Sequence, residues 1–134
     1  MVIGVDYGRK RIGLAMLHGD GLVLPLATIE QVSRKVSLHR VAKYLADFDC
    51  RHVVVGLPVN MDMTTGASAQ AAERFAEALR TLTGATVELY DERLSSFEAR
   101  DRMRELPTSI RRGGKDDALA ACVILESWWQ QHSR

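Results

Sequence analysis

Two periodicities divide this 134-residue chain, and the change between them restricts its fold more than any other feature. The first 29 residues read as strands joined by tight turns. Val2 to Asp6 is a short apolar run, Tyr7-Gly8-Arg9-Lys10 is turn-like, and Arg11 to Leu17 resumes a β-rich run. His18-Gly19-Asp20-Gly21 carries the Asp-Gly pair of a hairpin, and Leu22 to Ile29 follows as a third strand. Pro25 lacks a backbone donor, which places that strand at a sheet edge.

Beyond residue 30 the pattern becomes helix and strand in alternation. Leu38, Val41, Leu45 and Phe48 make one apolar face of a helix opened by Ser33. His52 to Gly56 is a buried strand, ended by Gly56-Leu57-Pro58. A helix follows whose stripe is Ala72, Phe75, Ala76, Leu79 and Leu82, with Gly84 as its stop. Thr86 to Tyr90 is the fifth strand. Ser95-Ser96-Phe97-Glu98 is a capping-box pattern that opens a short helix stopping before Pro107. Residues 108–114 read as a mobile loop, and the last helix starts at about Lys115. The expected fold is α/β: a mixed five-stranded sheet, made of an antiparallel three-strand meander plus two parallel strands, with helices on both faces. Without a linker, a repeat or a low-complexity tract, residues 1–134 are expected to form one domain.

Three acids punctuate these elements. Asp6 ends the first strand, Glu92 follows the fifth, and Asp117 heads the last helix. Ligands of open α/β sheets gather at the carboxyl ends of parallel strands. Carboxylates gathered there repel one another unless something neutralises them. Paired divalent cations are the usual neutralisers, and they suit phosphodiester hydrolysis. The charge pattern agrees. Net charge is only +1, but residues 100–115 hold six cations against two acids, and Arg9-Lys10-Arg11 adds a basic turn beside Asp6. The basic stretch from Arg100 to Arg104 also fits a solvated helix face. The expectation is a metal-dependent nuclease.

Each acid also has an ordinary reading: Asp6 as a turn former, Glu92 as a surface partner of Arg93, and Asp116 and Asp117 as helix N-terminal charges. Taken together on one rim, they favour a metal site. No Cys/His cluster competes, which argues against zinc. His18, His39, His52 and His132 are scattered, and the Ser95-Ser96 pair has no spaced His/Asp partners. Trp128-Trp129 reads as packing before a dimer contact. Cys50 and Cys122 read as buried free thiols. The N-terminal apolar run is too short to span a membrane and lacks a basic leader, so a cytoplasmic protein is expected.

Four segments together resemble one family. The run from Val2 to Ala15, Val-Ile-Gly-Val-Asp-Tyr-Gly-Arg-Lys-Arg-Ile-Gly-Leu-Ala, closely resembles the opening of the YqgF/RuvX proteins, a bacterial group with the ribonuclease H-like fold. Residues 55–62 (Val-Gly-Leu-Pro-Val-Asn-Met-Asp), residues 91–96 (Asp-Glu-Arg-Leu-Ser-Ser) and residues 115–121 (Lys-Asp-Asp-Ala-Leu-Ala-Ala) are similar to its later motifs, in order and over nearly the whole chain. The resemblance implies nuclease activity, with Asp6, Glu92 and Asp117 as metal-binding carboxylates. Arg11, Asn60, Arg93 and Lys115 match positions implied to contact substrate. Two positions depart from the pattern: Met63 stands where Gly is usual, and Asp116 where an apolar residue usually precedes the catalytic Asp. Spacing to Ala120-Ala121 selects Asp117 over Asp116.

The mechanism expected is attack of a metal-activated water on a phosphodiester, with two Mg²⁺ or Mn²⁺ ions. Asp6 would bridge them, and Glu92 and Asp117 would each hold one side. Arg9, Lys10 and Arg11 of the basic turn, with the basic residues of 100–115, would position the backbone. The resemblance implies either of two substrates, the precursor of 16S ribosomal RNA or four-way DNA junctions. RNA processing ranks first, and junction cutting would call for a homodimer. Two other classes stay open. Asp-x-Gly after a strand also opens actin-like ATPases, which need a second lobe that 134 residues cannot supply, and a non-catalytic nucleic-acid- or ribosome-associated protein could keep the same fold.

Overall fold

The computed structural model describes residues 1–58, 66–95, 97–105 and 116–132, excepting the side chains of Phe97, Met103 and Asp116. Strands β1 (Val2–Tyr7), β2 (Arg11–Leu17) and β3 (Val23–Glu30) form the meander, followed by helix α1 (Arg34–Asp47) and strand β4 (His52–Leu57). Helix α2 (Ala67–Thr83), strand β5 (Thr86–Asp91), a 3-10 turn (Glu92–Leu94), and helices α3 (Phe97–Arg104) and α4 (Asp116–His132) complete the order. The sheet order is β3-β2-β1-β4-β5. β1 pairs antiparallel with β2 and parallel with β4, and β5 extends the parallel part. Pro25 sits on β3, the edge strand, beside a break in register between Leu14 and Ala15.

Alternation along the strands sorts the core into two layers. Ile3, Val5, Ile12, Leu14, Val53 and Val55 face α1 and α2, where Val41, Leu45, Phe75 and Leu79 cover them. The opposite face carries Ala15, Leu17, Val54 and Tyr90, covered by α4 through Ala121, Cys122, Leu125 and Trp128. This face is lined with small residues, and that lets α4 lie close to the sheet. A Cβ on Gly4 would stand 3.0 Å from that of Leu125. One on Gly13 would collide with the backbone carbonyl of Asp117.

Local signals act as the residue types dictate. The Ser33 hydroxyl accepts from the Val36 amide and caps α1, and Gly84 (φ 72°) ends α2 in the left-handed conformation. Leu82 departs from the expected stripe. It lies 44% exposed at the last turn of α2, beyond the edge of the sheet core. Cys50 and Cys122 are buried free thiols, and burial beside Glu126 pushes Cys122 up to about 12, so it stays protonated. Trp128 packs as expected, with its indole N–H donating to Glu88 at 2.6 Å. Among the described residues no helix is long and apolar enough to cross a membrane. The segments holding Asn60, Met63, residues 106–115 and the Ser96 cap position lie outside the described residues.

Candidate active site

Asp6 sits in a row of three residues that runs across the sheet. It aligns with Gly13 on β2 and with Gly56 on β4. All three positions lie on the α4 face, by the same alternation that turns Ile3 and Val5 toward α1 and α2. The two missing side chains are what bring the acids together. At Gly13 the space is taken by the Asp117 backbone, so the first turn of α4 rests directly on the strand. At Gly56 the space is taken by Glu92, whose Oε1 would be 2.9 Å from an added Cβ, and by Ile124. Asp6 thus has one acid brought in on each side. Glycine inside a strand often marks such a close approach, and Gly13 and Gly56 are the sequence signal for it.

The electrostatics follow from this crowding. Burial pushes Asp6 above the usual carboxylate range, and the charge of Asp117 adds to that, while a hydrogen bond from Glu92 acts the other way. Glu92 is raised to about 7 by burial first, then by the charge and hydrogen bond of Asp6. The protonated Glu92 carboxyl therefore donates to the Asp6 carboxylate, and the pair holds one proton near neutral pH. Asp117 is neutralised differently: Arg11 Nε donates to its Oδ2 at 2.9 Å. Among the described residues no three His, Cys, Asp or Glu side chains are already gathered as a metal cage. Asp6 and Glu92 are bonded to each other, and Asp117 is turned onto Arg11.

The other expected residues are placed as follows. Arg9 and Lys10 are exposed on the turn next to Arg11. Arg93 grips Asp91, with Nη2 at 2.6 Å and Nε at about 3 Å, and its amide is capped by the same carboxylate. Glu92 is consequently not the surface partner of Arg93 that its sequence position allowed. Asp116 opens α4 with its side chain undescribed, while Asn60 and Lys115 fall outside the described residues.

A cleft of about 490 Å³ opens from the acid pair between α3 and α4. Arg100 and Arg104 line it from α3, one helical turn apart, whereas Arg102 turns away to the buried Glu126 at 3.0 Å. The basic stretch is therefore split, with Arg100 and Arg104 on the cleft, Arg104 Nη1 lying 3.8 Å from Asp101, and Arg102 tying helices together.

Comparison with known proteins gives the family and the fold. The family profile described as "RuvX: Holliday junction resolvase" matches residues 1–131. A protein of Anaeromyxobacter sp. (strain Fw109-5) named "Putative pre-16S rRNA nuclease" is 48% identical over 129 residues, covering 94% of this chain and 93% of its own. A protein of the same name from Myxococcus xanthus is 39% identical over 132 residues, covering 97% and 87%. Among solved structures, Thermus thermophilus RuvC in complex with a Holliday junction substrate superposes with a TM-score of 0.67 at 16% identity, over 97% of this chain and 94% of its own. The fowlpox virus resolvase gives 0.62 at 13% identity, over 98% and 99%. These two likenesses establish the fold, which is that of the RuvC-like, ribonuclease H-like proteins. With a matching profile over nearly its whole length and close relatives of equal extent, the chain belongs to the RuvX/YqgF family.

Proposed function

We propose that residues 1–134 act as one nuclease domain that hydrolyses phosphodiester bonds in the precursor of 16S ribosomal RNA. Asp6, Glu92 and Asp117 are its catalytic, cation-holding carboxylates, and its place of action is the cytoplasm. The names of the relatives support the substrate. The observation that carries the chemistry is the Gly13–Asp6–Gly56 row, which brings an acid to each side of Asp6.

The donor set fits a hard divalent cation such as Mg²⁺ or Mn²⁺, because every ligand is a carboxylate oxygen. Burial and the charge of Asp6 raise Glu92 to about 7, so ionising both acids is costly, and a divalent cation would offset that cost. A bound cation would supply charge neutralisation and a more acidic water, and a pair of them is the arrangement suited to in-line displacement. The residues themselves do the rest. Asp6, central in the row, serves both neighbours. Arg11 is half exposed beside Asp117, so its guanidinium can turn to an incoming phosphate. Arg9 and Lys10 extend that cationic rim. Arg93 is held rigid by Asp91 next to Glu92, and Asn60 and Lys115 remain as proposed substrate contacts.

A second reading, cleavage of four-way DNA junctions, is favoured by the description of the family profile. It requires two sites on two strands and hence a homodimer. The experiment is a cleavage assay of precursor 16S RNA and a four-way DNA junction, with Mg²⁺, Mn²⁺ or a chelator, alongside the mass of the protein in solution. RNA cut in either metal, and not in chelator, supports the first reading. Junction cutting by a dimer with the RNA left intact supports the second. Neither substrate cut in either metal overturns both.

A further inference from the structure

The cleft between α3 and α4 has two unlike walls that meet at the acid pair. From α4, Leu119, Val123 and Ile124 contribute an aliphatic floor. These positions recur on one helix face, and Ile124 is buried while Leu119 and Val123 are half-buried. From α3, Arg100 and Arg104 contribute two exposed guanidinium groups at i and i+4 spacing. Asp6 and Glu92 close one end. An apolar floor, two cations on the rim and a cation-binding end match the three parts of a nucleotide chain: base, flanking phosphates and scissile phosphate. The volume of about 490 Å³ is that of a site for one drug-sized ligand. An unpaired nucleotide fits that scale, whereas a paired one brings its partner strand with it.

We infer that this cleft is a subsite for one unpaired nucleotide next to the scissile phosphate, so that the protein selects single-stranded stretches over duplex. The inference rests on the nuclease reading, because the acid pair fixes where the scissile phosphate lies. Leu119 and Val123 receive the base, and Arg100 and Arg104 hold the flanking phosphates. Proteins that grip single strands generally stack bases on aromatic rings beside cations that follow the backbone, and here aliphatic side chains stand in place of the rings. Selection comes from the floor, which a paired base cannot reach. Affinity and its salt dependence come from the arginines.

The test measures binding of fluorescein-labelled 12-nucleotide RNA by anisotropy, in chelator so that nothing is cleaved. Three probes are compared: the intact strand, a strand of equal length with abasic sites throughout, and the intact strand annealed to its complement. The wild-type protein should bind the intact strand roughly tenfold tighter than either of the others. Equal affinity for intact and abasic strands overturns the inference, and this comparison needs no variant. Arg100→Ala with Arg104→Ala should lower the salt slope for the intact strand by about 1.4, the value for two lost phosphate contacts. An unchanged slope overturns the role of the arginines. Val123→Asp, with its fold checked by circular dichroism, should erase the difference between intact and abasic strands, and a retained difference overturns the role of the floor. Cleavage with Mg²⁺ or Mn²⁺ separates the two claims. Cutting without the binding preference removes the subsite alone, whereas the preference without cutting overturns the nuclease reading and the placement beside a scissile phosphate, leaving only a single-strand binding cleft.

Discussion

Gly56 stands beside Asp6 across the parallel β1–β4 pair, and Glu92 fills the space that a Gly56 side chain would occupy. A Cβ there meets both Ile124 and the Glu92 carboxyl. Gly56→Ala should therefore displace Glu92 from Asp6 and overpack the α4 face, at a cost of about 1–3 kcal/mol. Cleavage should fall by more than the loss of folded protein explains. Urea denaturation alongside single-turnover cleavage checks this, and a stable variant of full activity would contradict it.

Gly13→Ala should be the harsher change. Its Cβ meets the Asp117 carbonyl, which is backbone and cannot rotate away. The first turn of α4 must lift, carrying Asp117 and loosening its contact with Arg11. Hydrogen exchange at residues 117–121 should accelerate in the variant while α1 and α2 keep their protection.

The acid pair makes the metal-free protein sensitive to pH. Glu92 is raised in the folded state, so the folded form binds more protons than the unfolded form between the ordinary glutamate value of 4.5 and about 7. Stability from this group is complete below 4.5 and is lost as pH rises through 7. In chelator, the Tm of the wild type should drop between pH 5 and 8. Glu92→Gln should flatten that drop and raise the Tm at pH 8 by roughly 3–6 °C. Scanning calorimetry at the two pH values checks both, and an identical pH profile in the variant counts against the shared proton.

Glu88 responds with the opposite sign. It accepts from Trp128 at 2.6 Å and meets His52 Nε2 at 2.7 Å. Its pKa is lowered because these hydrogen bonds outweigh a desolvation that acts upward. Its contribution is present above 4.5 and disappears as pH falls through the lower folded value. Glu88→Ala leaves the Trp128 donor without this acceptor and should cost about 1–2 kcal/mol. Chemical denaturation followed by tryptophan fluorescence gives the comparison.

Arg11 neutralises Asp117 across an exposed contact of modest strength. Arg11→Ala should change stability by less than about 1 kcal/mol and raise Mn²⁺ affinity about 1.5–5-fold, because Asp117 loses its competing partner. Calorimetric titration with Mn²⁺ measures the effect, and a weakened affinity would show that Arg11 supports the cation site.

Much of this was legible in residue order. The Asp-Gly hairpin, Ser33, Gly84 and the edge Pro25 each act locally, so spacing and residue type were enough to place them. Asp6 and Glu92 were also visible, as acids at the ends of two strands that flank β4 in the parallel part of the sheet. Their meeting was not visible, because it depends on register: Asp6 opposite Gly13 and Gly56 is a property of three strands at once. The basic stretch was ambiguous for the same reason. Only the packing of α3 on α4 separates Arg102, drawn to buried Glu126, from Arg100 and Arg104 on the cleft. Leu82 misled because a helical stripe continues one turn past the surface it covers.

The most direct measurement is single-turnover cleavage of precursor 16S RNA in Mn²⁺ by the wild type, Asp6→Asn and Glu92→Gln, each shown to be folded. The wild type should cleave, and both variants should fall by about 10²-fold or more, although neither loses the shape of the site. Cleavage by Asp6→Asn at the wild-type rate would contradict the assignment of these carboxylates.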